Sequence, residues 1–423
     1  MAVGHEGGRA VKSGEEIEAE ISEAPAKPAG ALSNLLVLGS AGSAPVIIGL
    51  ILIAIVFQFS NSNFLTPVNI TNLMVQIAAV GTISVGIVLV LLIGEIDLSV
   101  GEVSGFCAAI MAVLSAKSGQ PAVVAVGAGV LAGVGIGLFQ GFWFAKMRVP
   151  SFVVTLAGFL GWQGALLWVL GNTGTVNLTD PMIVGIANTI LPLPVGWGLV
   201  VIFVGVYTVA SFMGRQNRDK AGLDVAPLTT TLARVALVAV GVVMVTGIMS
   251  VNRSPAGFNP IQGVPSAVPV FIGFIVLFDF ITKRTTFGRY IFAVGGNAEA
   301  ARRSGINVDR IRILVFMLSS TLAACGGILA GSRLLAVNQS SGSGDVLLNA
   351  IAAAVIGGTS LFGGRGSAWS ALLGALVIGS IANGMDLLAL SSSIRFMVTG
   401  AVLLAAVTLD AYTRTMREKS GRV

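Results

Sequence analysis

About twelve apolar runs, separated by short polar stretches, dominate this sequence after its first forty residues. Each is long enough, or nearly so, to cross the roughly 30 Å hydrocarbon core of a membrane, which takes about 20 helical residues. They lie at approximately 43–60, 70–93, 100–116, 121–145, 150–170, 194–213, 232–250, 266–282, 311–334, 345–361, 367–389 and 393–411. Only 10% of the residues are charged, far below the soluble average of about 25%. The pattern predicts an all-α polytopic membrane protein with about 12 transmembrane segments.

The run at 345–361 is short and contains glycine, so both a crossing segment and a re-entrant half-helix stay open.

The remaining organisation follows from charge. Residues 1–35 mix charged residues with Gly, Pro and Ala, which favours a disordered cytoplasmic tail without a signal peptide. We expect a transmembrane domain at 36–412, which contains a basic loop at about 283–312, and a cytoplasmic C-terminal tail at 413–423.

Lysine and arginine positions predict the orientation of the chain, because basic residues accumulate on the cytoplasmic side. With the N-terminal tail inside, 21 of the 25 basic residues fall in cytoplasmic segments. The four exceptions are Lys117, Arg253, Arg333 and Arg395. The sequence therefore predicts that both termini and the basic loop are cytoplasmic.

The basic loop contains a short helix whose two ends are marked in the sequence. Seven basic residues stand against only Glu299 and Asp309 between positions 281 and 312. At its start, Gly295 and Gly296 allow a tight turn and Asn297 is a good N-cap. Glu299 lies near the positive end of the helix dipole, and Arg302 and Arg303 lie near its negative end, where their charges are favourable. Gly305 is a stop signal after the last turn. So short a helix needs something to pack against. A solvated basic loop without a partner is the alternative.

A small acidic cluster marks the boundary between the second and third apolar runs. Ser99 and Glu102 have the spacing of a capping box at the start of the third helix, and Asp97 would precede that helix N-terminus. The alternative is that Glu95 or Asp97 contacts a partner subunit or lines a transport path, since ionisable groups at a membrane are functional candidates.

Several classes of function lack their sequence signals. No G-x-x-x-x-G-K-[ST] phosphate loop exists, so this chain should not hydrolyse ATP itself. The only histidine is His5, and the two cysteines lie inside apolar runs, which leaves no metal site and no catalytic triad. The positive charges lie between apolar runs, so they do not indicate nucleic-acid binding. We expect no enzyme activity and no cofactor bound by this chain.

Uncharged polar residues inside or near the ends of the apolar runs are candidates for contact with a neutral, hydroxyl-rich solute. Among them are Gln76, Gln163 and Asn383, which could equally hydrogen-bond between helices. A glycine at every fourth position from Gly129 to Gly141 predicts close helix packing. Segments 93–108 and 356–371 share six residues at a constant offset, which raises the hypothesis of an internal duplication.

Five segments, in order along most of the chain, resemble one family of transport proteins. They are NFLTPVNITNLMVQIA (63–78), GEIDLSVG (94–101), VPSFVVTLA (149–157), GRYIFAVGGNAEAARRSGI (288–306) and AAAVIGGTSLFGGRG (352–366). The chain resembles the permease subunits of bacterial ABC importers for monosaccharides, the ribose/xylose/galactose-type branch.

The resemblance implies an inner-membrane pore subunit that works as a homodimer within membrane lipid. It implies a periplasmic sugar-binding protein and a cytoplasmic ATP-binding subunit, which would use the ATP and Mg²⁺. It also implies that segment 297–304 is the coupling helix that contacts this ATPase. An insert at about 214–265 is similar to that of the xylose permeases, so D-xylose is the expected sugar. A secondary carrier driven by an ion gradient is the alternative.

Overall fold

The structure is a computed structural model that describes residues 44–419, apart from residues 224, 226 and 256–257. The predicted tail at 1–35 lies outside the described residues. Fifteen α-helices fill the described part of the chain. They are α1 (Ala44–Ser60), α2 (Pro67–Leu92), α3 (Val100–Ala112), α4 (Ala122–Ala145), α5 (Ser151–Leu170), α6 (Pro181–Asn188), α7 (Leu193–Lys220), α8 (Leu228–Ser250), α9 (Ala267–Arg284), α10 (Thr286–Gly296), α11 (Ala298–Arg303), α12 (Val308–Leu334), α13 (Asp345–Ile356), α14 (Ala368–Leu387) and α15 (Ser392–Lys419).

All twelve apolar runs are helical, which confirms the predicted all-α polytopic fold. Eight of the described helices, counting α3 with its π-helical extension to Lys117, are long and apolar enough to cross a membrane. The other four runs form α1, α9, α13 and α15. The first and third of these are short, at 17 and 12 residues, whereas α9 ends in the charged pair Lys283 and Arg284.

Helix α12 occupies the centre of the bundle and makes its most extensive contacts with α4, α2 and α3. The glycine stripe of α4 faces α12 along this contact. A Cβ atom on Gly133 would lie 2.7 Å from the Ser320 carbonyl oxygen, and one on Gly141 would lie 2.8 Å from the Ile313 Cα. The predicted role of the stripe, close approach of two helix backbones, is therefore confirmed.

The two ends of the bundle differ in chemistry. At one end, which we call the basic end, Lys146 after α4 pairs with Asp309 of α12 at 3.4 Å, and Arg302 of α11 reaches the same carboxylate at 3.9 Å. At the opposite end, two short antiparallel sheets tie the loops together. They are β1 (Thr175–Asn177) with β4 (Ala336–Asn338), and β2 (Ile190–Leu191) with β3 (Val264–Pro265).

Helix α13 is one half of a discontinuous segment. Its 12 residues span only about 18 Å at 1.5 Å per residue. Residues 339–344, which connect β4 to α13, are not helical, and Gly342 packs against Gly101 and Gly105 of α3. Since β4 lies opposite the basic end and α13 leads back to it, the irregular stretch and α13 together cross the bundle.

The basic loop predicted at about 283–312 is mostly helical and contains more helix than the short one that the sequence marks. An additional helix, α10, precedes α11, and α12 begins at Val308. The N-cap of α10, Thr285, accepts a hydrogen bond from the Gly288 N–H at 3.2 Å. At the C-terminus, α15 continues to Lys419 and includes most of the predicted tail at 413–423.

Candidate functional site

Helix α11 has the capping geometry that its sequence predicts. The Asn297 Oδ1 accepts a hydrogen bond from the Ala300 N–H at 2.9 Å, which satisfies one of the free donors at the helix start. Glu299 lies in the first turn and Arg302 and Arg303 in the last. Gly305, at φ +85°, ends the helix region in a conformation that glycine adopts without strain.

One face of α11 is packed and the other is exposed. Ala301 is buried in the main hydrophobic core, with Ala298 and Ile306 beside it. The side chains of Glu299, Arg302 and Arg303 are 60%, 57% and 79% exposed. Both arginines pair with Glu299, at 3.7 and 3.2 Å, but exposed pairs of this kind contribute at most about 1 kcal/mol. The charged face therefore remains free to bind a partner.

Gly295 and Gly296 do not form the tight turn that the sequence predicts. They are the last two residues of α10, and neither has a positive φ. Gly295 instead allows close approach: a Cβ atom there would overlap the Leu92 carbonyl oxygen at the end of α2 and lie 2.7 Å from the Gly364 nitrogen. The chain leading into α11 thus rests directly on α2.

A third segment joins this contact. The Gly364 N–H donates to the Leu92 carbonyl oxygen at 2.9 Å, and Gly363 lies against both Gly94 and Gly295. The loops 93–99 and 357–367 therefore meet at the base of α11, and we call this contact the glycine junction. No sequence signal indicated that these two loops and Gly295 lie together.

Glu95 connects the first of these loops to the start of α12 and α5. Its carboxylate accepts from the Arg312 Nη2 at 3.1 Å and from the Ser151 Oγ at 2.7 Å. The Arg312 guanidinium also lies 4.7 Å from the centre of the Phe144 ring, a cation–π arrangement. Glu95 thus holds three elements together at the basic end, a role that its sequence position did not reveal.

The predicted capping box of Ser99 and Glu102 is wrong. Ser99 occupies the N-cap position, but its hydroxyl donates to the Asp97 Oδ1 at 2.7 Å rather than capping α3. The Asp97 Oδ1 also accepts from the Ser99 N–H at 2.9 Å, and the Gln140 Nε2 donates to the Ser99 Oγ at 2.9 Å. Neither oxygen of Glu102 bonds to a residue that the structure describes. Asp97 satisfies the turn locally because a short carboxylate reaches the backbone two residues on.

The three uncharged candidates lie apart from this site. Asn383 is buried and exchanges two hydrogen bonds with Asn69, at 2.7 and 3.0 Å. This arrangement favours the alternative of a bond between helices. Gln76 lines a small cavity between α2, α13 and α14 together with Asn349. Gln163 is half-buried on α5.

The segment NQSSGSGD at 338–345 is a further candidate for contact with a hydroxyl-rich solute, which the sequence patterns did not single out. It runs from the last residue of β4 to the first residue of α13, and its turns are built from its own groups, such as the bond from the Ser340 Oγ to the Asn338 Oδ1 at 2.9 Å. Gln339, Ser340 and Asp345 are exposed. A polar run between two apolar ones was the available signal. Non-helical backbone at membrane depth is tolerated only where it is buried in protein or lines a water-filled cavity.

The comparisons with known proteins decide the family. The model of the family described as branched-chain amino acid transport system / permease component matches residues 69–407. The chain belongs to this permease family. The permease is 35% identical over 370 residues to the xylose transport system permease protein XylH of Escherichia coli (strain K12). This alignment covers 87% of the permease and 91% of the relative.

Two further relatives are also sugar permeases. The permease is 35% identical over 374 residues to XylH of Haemophilus influenzae, with 86% of this chain and 96% of the relative covered. It is 31% identical over 363 residues to the ribose import permease protein RbsC of Bacillus subtilis (strain 168), with coverage of 86% and 91%. No solved structure matches the permease. The predicted resemblance to sugar permeases is confirmed, and the chain is a multi-pass membrane transport protein.

Proposed function

We propose that this permease is the transmembrane subunit of an ATP-driven importer for a pentose, with D-xylose as the sugar. The relatives named for xylose and ribose support the substrate class. A periplasmic binding protein would deliver the sugar, and an ATP-binding subunit would supply the energy. The permease would lie in a bacterial inner membrane with both termini in the cytoplasm, because 21 of 25 basic residues then face inward.

The observation that carries the ATP-driven mechanism is α11. It is a capped helix whose apolar side is buried and whose charged side, with Arg302 and Arg303, is exposed at the basic end. Such a helix can seat in a groove of a partner. The glycine junction at its base would transmit a displacement of α11 to α2 and to the loop before α14, since the three backbones are in direct contact.

The polar stretch at 338–345 is our candidate for the sugar path. Serine hydroxyls, amides and a carboxylate are the groups that hydrogen-bond sugar hydroxyls, and Gln339, Ser340 and Asp345 are exposed. Exposed polar groups at membrane depth are costly in lipid. A second copy of the permease, packed over this stretch, would enclose a wet passage, which supports a homodimer.

Uptake of labelled sugars in cells without their own pentose importers tests the substrate. The permease is expressed with its ATPase and binding protein, and we expect D-xylose to be preferred over D-ribose. Equal uptake of both, or uptake of neither, would contradict the assignment to xylose.

In the same assay, Ser340→Leu should lower xylose uptake about tenfold, because it leaves a sugar hydroxyl without its partner. Asn177→Leu is the control: Asn177 is exposed in β1, outside the stretch. Equal uptake by the two variants at equal protein levels would remove 338–345 from the path.

A further inference from the structure

A groove opens toward the basic end between α7, α8, α9 and the first turn of α14. It encloses about 860 Å³. The buried residues among those described in α7 and α8 are Gly196, Val200, Thr246 and Met249. All four lie toward the end of these helices that is remote from the basic end. The helix pair is therefore attached to the bundle at one end and stands away from α9 at the other.

The chemistry of the groove changes along its length. The apolar part is lined by Phe203, Val206, Val276, Phe280 and Trp369, and the rings of Phe203 and Trp369 meet edge-on with their centres 6.2 Å apart. The part nearest the basic end is lined by Arg215, Arg218, Arg234, Lys283 and Arg284. Among the lining residues that the structure describes, one carboxylate, that of Asp279, lies beside these cations; it contacts Lys283 at 2.7 Å and accepts from the Ser367 Oγ at 3.1 Å.

We propose that this groove binds one anionic phospholipid, with its acyl chains along α7 and α9 and its phosphate among the arginines. The gradient from aromatic and aliphatic side chains to a basic cluster matches the gradient within such a lipid. Basic pockets between transmembrane helices on the cytoplasmic side attract anionic headgroups. A second copy docked symmetrically here would place the same five cations against each other, which disfavours a second copy of the permease as the occupant.

Native mass spectrometry of the purified permease tests the proposal. The protein is extracted from membranes that contain phosphatidylglycerol and phosphatidylcholine, and the retained lipid is identified. We expect one retained phosphatidylglycerol on the wild type. Arg218→Gln with Arg234→Gln should lower its occupancy about tenfold, because each basic residue near an anionic headgroup contributes to binding. Arg218→Lys with Arg234→Lys should keep it, and so should Arg289→Gln with Arg310→Gln, which removes two exposed charges outside the groove.

Three results would overturn the proposal: no preference of the wild type for phosphatidylglycerol, equal retention by the Gln variant, or a protein dimer that dissociates in that variant.

A second measurement needs no charge-removing variant. Brominated phosphatidylglycerol in phosphatidylcholine vesicles should quench Trp369 fluorescence, measured as the difference between the wild type and Trp369→Phe. Brominated phosphatidylcholine should quench it less, and equal quenching by the two lipids would also contradict the site. Neither experiment depends on transport, so failure of the proposed function leaves this test intact.

Discussion

Arg302→Glu combined with Arg303→Glu should lower sugar uptake about tenfold or more and leave the amount of folded permease in the membrane unchanged. Both side chains are more than half exposed, so the substitution reverses the charge of the surface that we propose binds the ATPase. Like charges brought together at an interface cost several kcal/mol. The fold should tolerate the change because the pairs with Glu299 are exposed and weak.

Two control variants separate a specific effect from a general loss of positive charge. Arg289→Glu with Arg310→Glu changes the net charge by the same amount at exposed positions outside α11, and it should retain most of the uptake. Glu299→Gln removes the carboxylate that both arginines contact, and this variant should also take up the sugar. If the variant at positions 302 and 303 imports sugar at the wild-type rate, α11 is not the coupling helix.

The second large effect is expected at the glycine junction. Gly295→Ala places a methyl group where the Leu92 carbonyl oxygen lies, and 2.7 Å from the Gly364 nitrogen that donates to this oxygen. The backbones must separate, which costs about 1–3 kcal/mol as overpacking does elsewhere. We expect a lower melting temperature of the purified permease and a fall in uptake beyond what the amount of folded protein explains.

The neighbouring glycine provides a matched control. No described atom would lie within 4 Å of a Cβ atom on Gly296, and this residue is also in α10. Gly296→Ala should therefore be neutral or slightly stabilising, since alanine costs less backbone entropy in a helix. Equal melting temperatures and equal uptake for the two variants would show that the junction is neither tight nor involved in transmission.

The features that the sequence predicted are those that depend on local order. The apolar runs predicted the helices because each must satisfy its own backbone in a membrane. Asn297, Glu299 and Gly305 predicted α11 because caps act within one turn. The stripe from Gly129 to Gly141 predicted a packed face because four residues return to the same side of a helix.

Contacts between distant segments account for what the sequence did not reveal. Gly295 resembles a turn glycine until Leu92 and Gly364 are placed against it. Ser99 and Glu102 have capping-box spacing, but Ser99 has helical backbone angles (φ −94°, ψ −13°) instead of the extended angles typical of an N-cap, and its hydroxyl oxygen accepts from the distant Gln140 Nε2. Helix α10 of the basic loop was missed because it is amphipathic and short, so it gives no apolar run.

We propose that ATP hydrolysis by a partner drives this permease. The most direct test is uptake of labelled D-xylose into proteoliposomes that hold the permease, its ATPase and enclosed ATP, with the binding protein outside. We expect uptake that requires ATP, is blocked by enclosed vanadate and persists when a protonophore and a sodium ionophore are added. Uptake that is unaffected by vanadate and abolished by the ionophores would contradict the account and identify the permease as an ion-driven carrier.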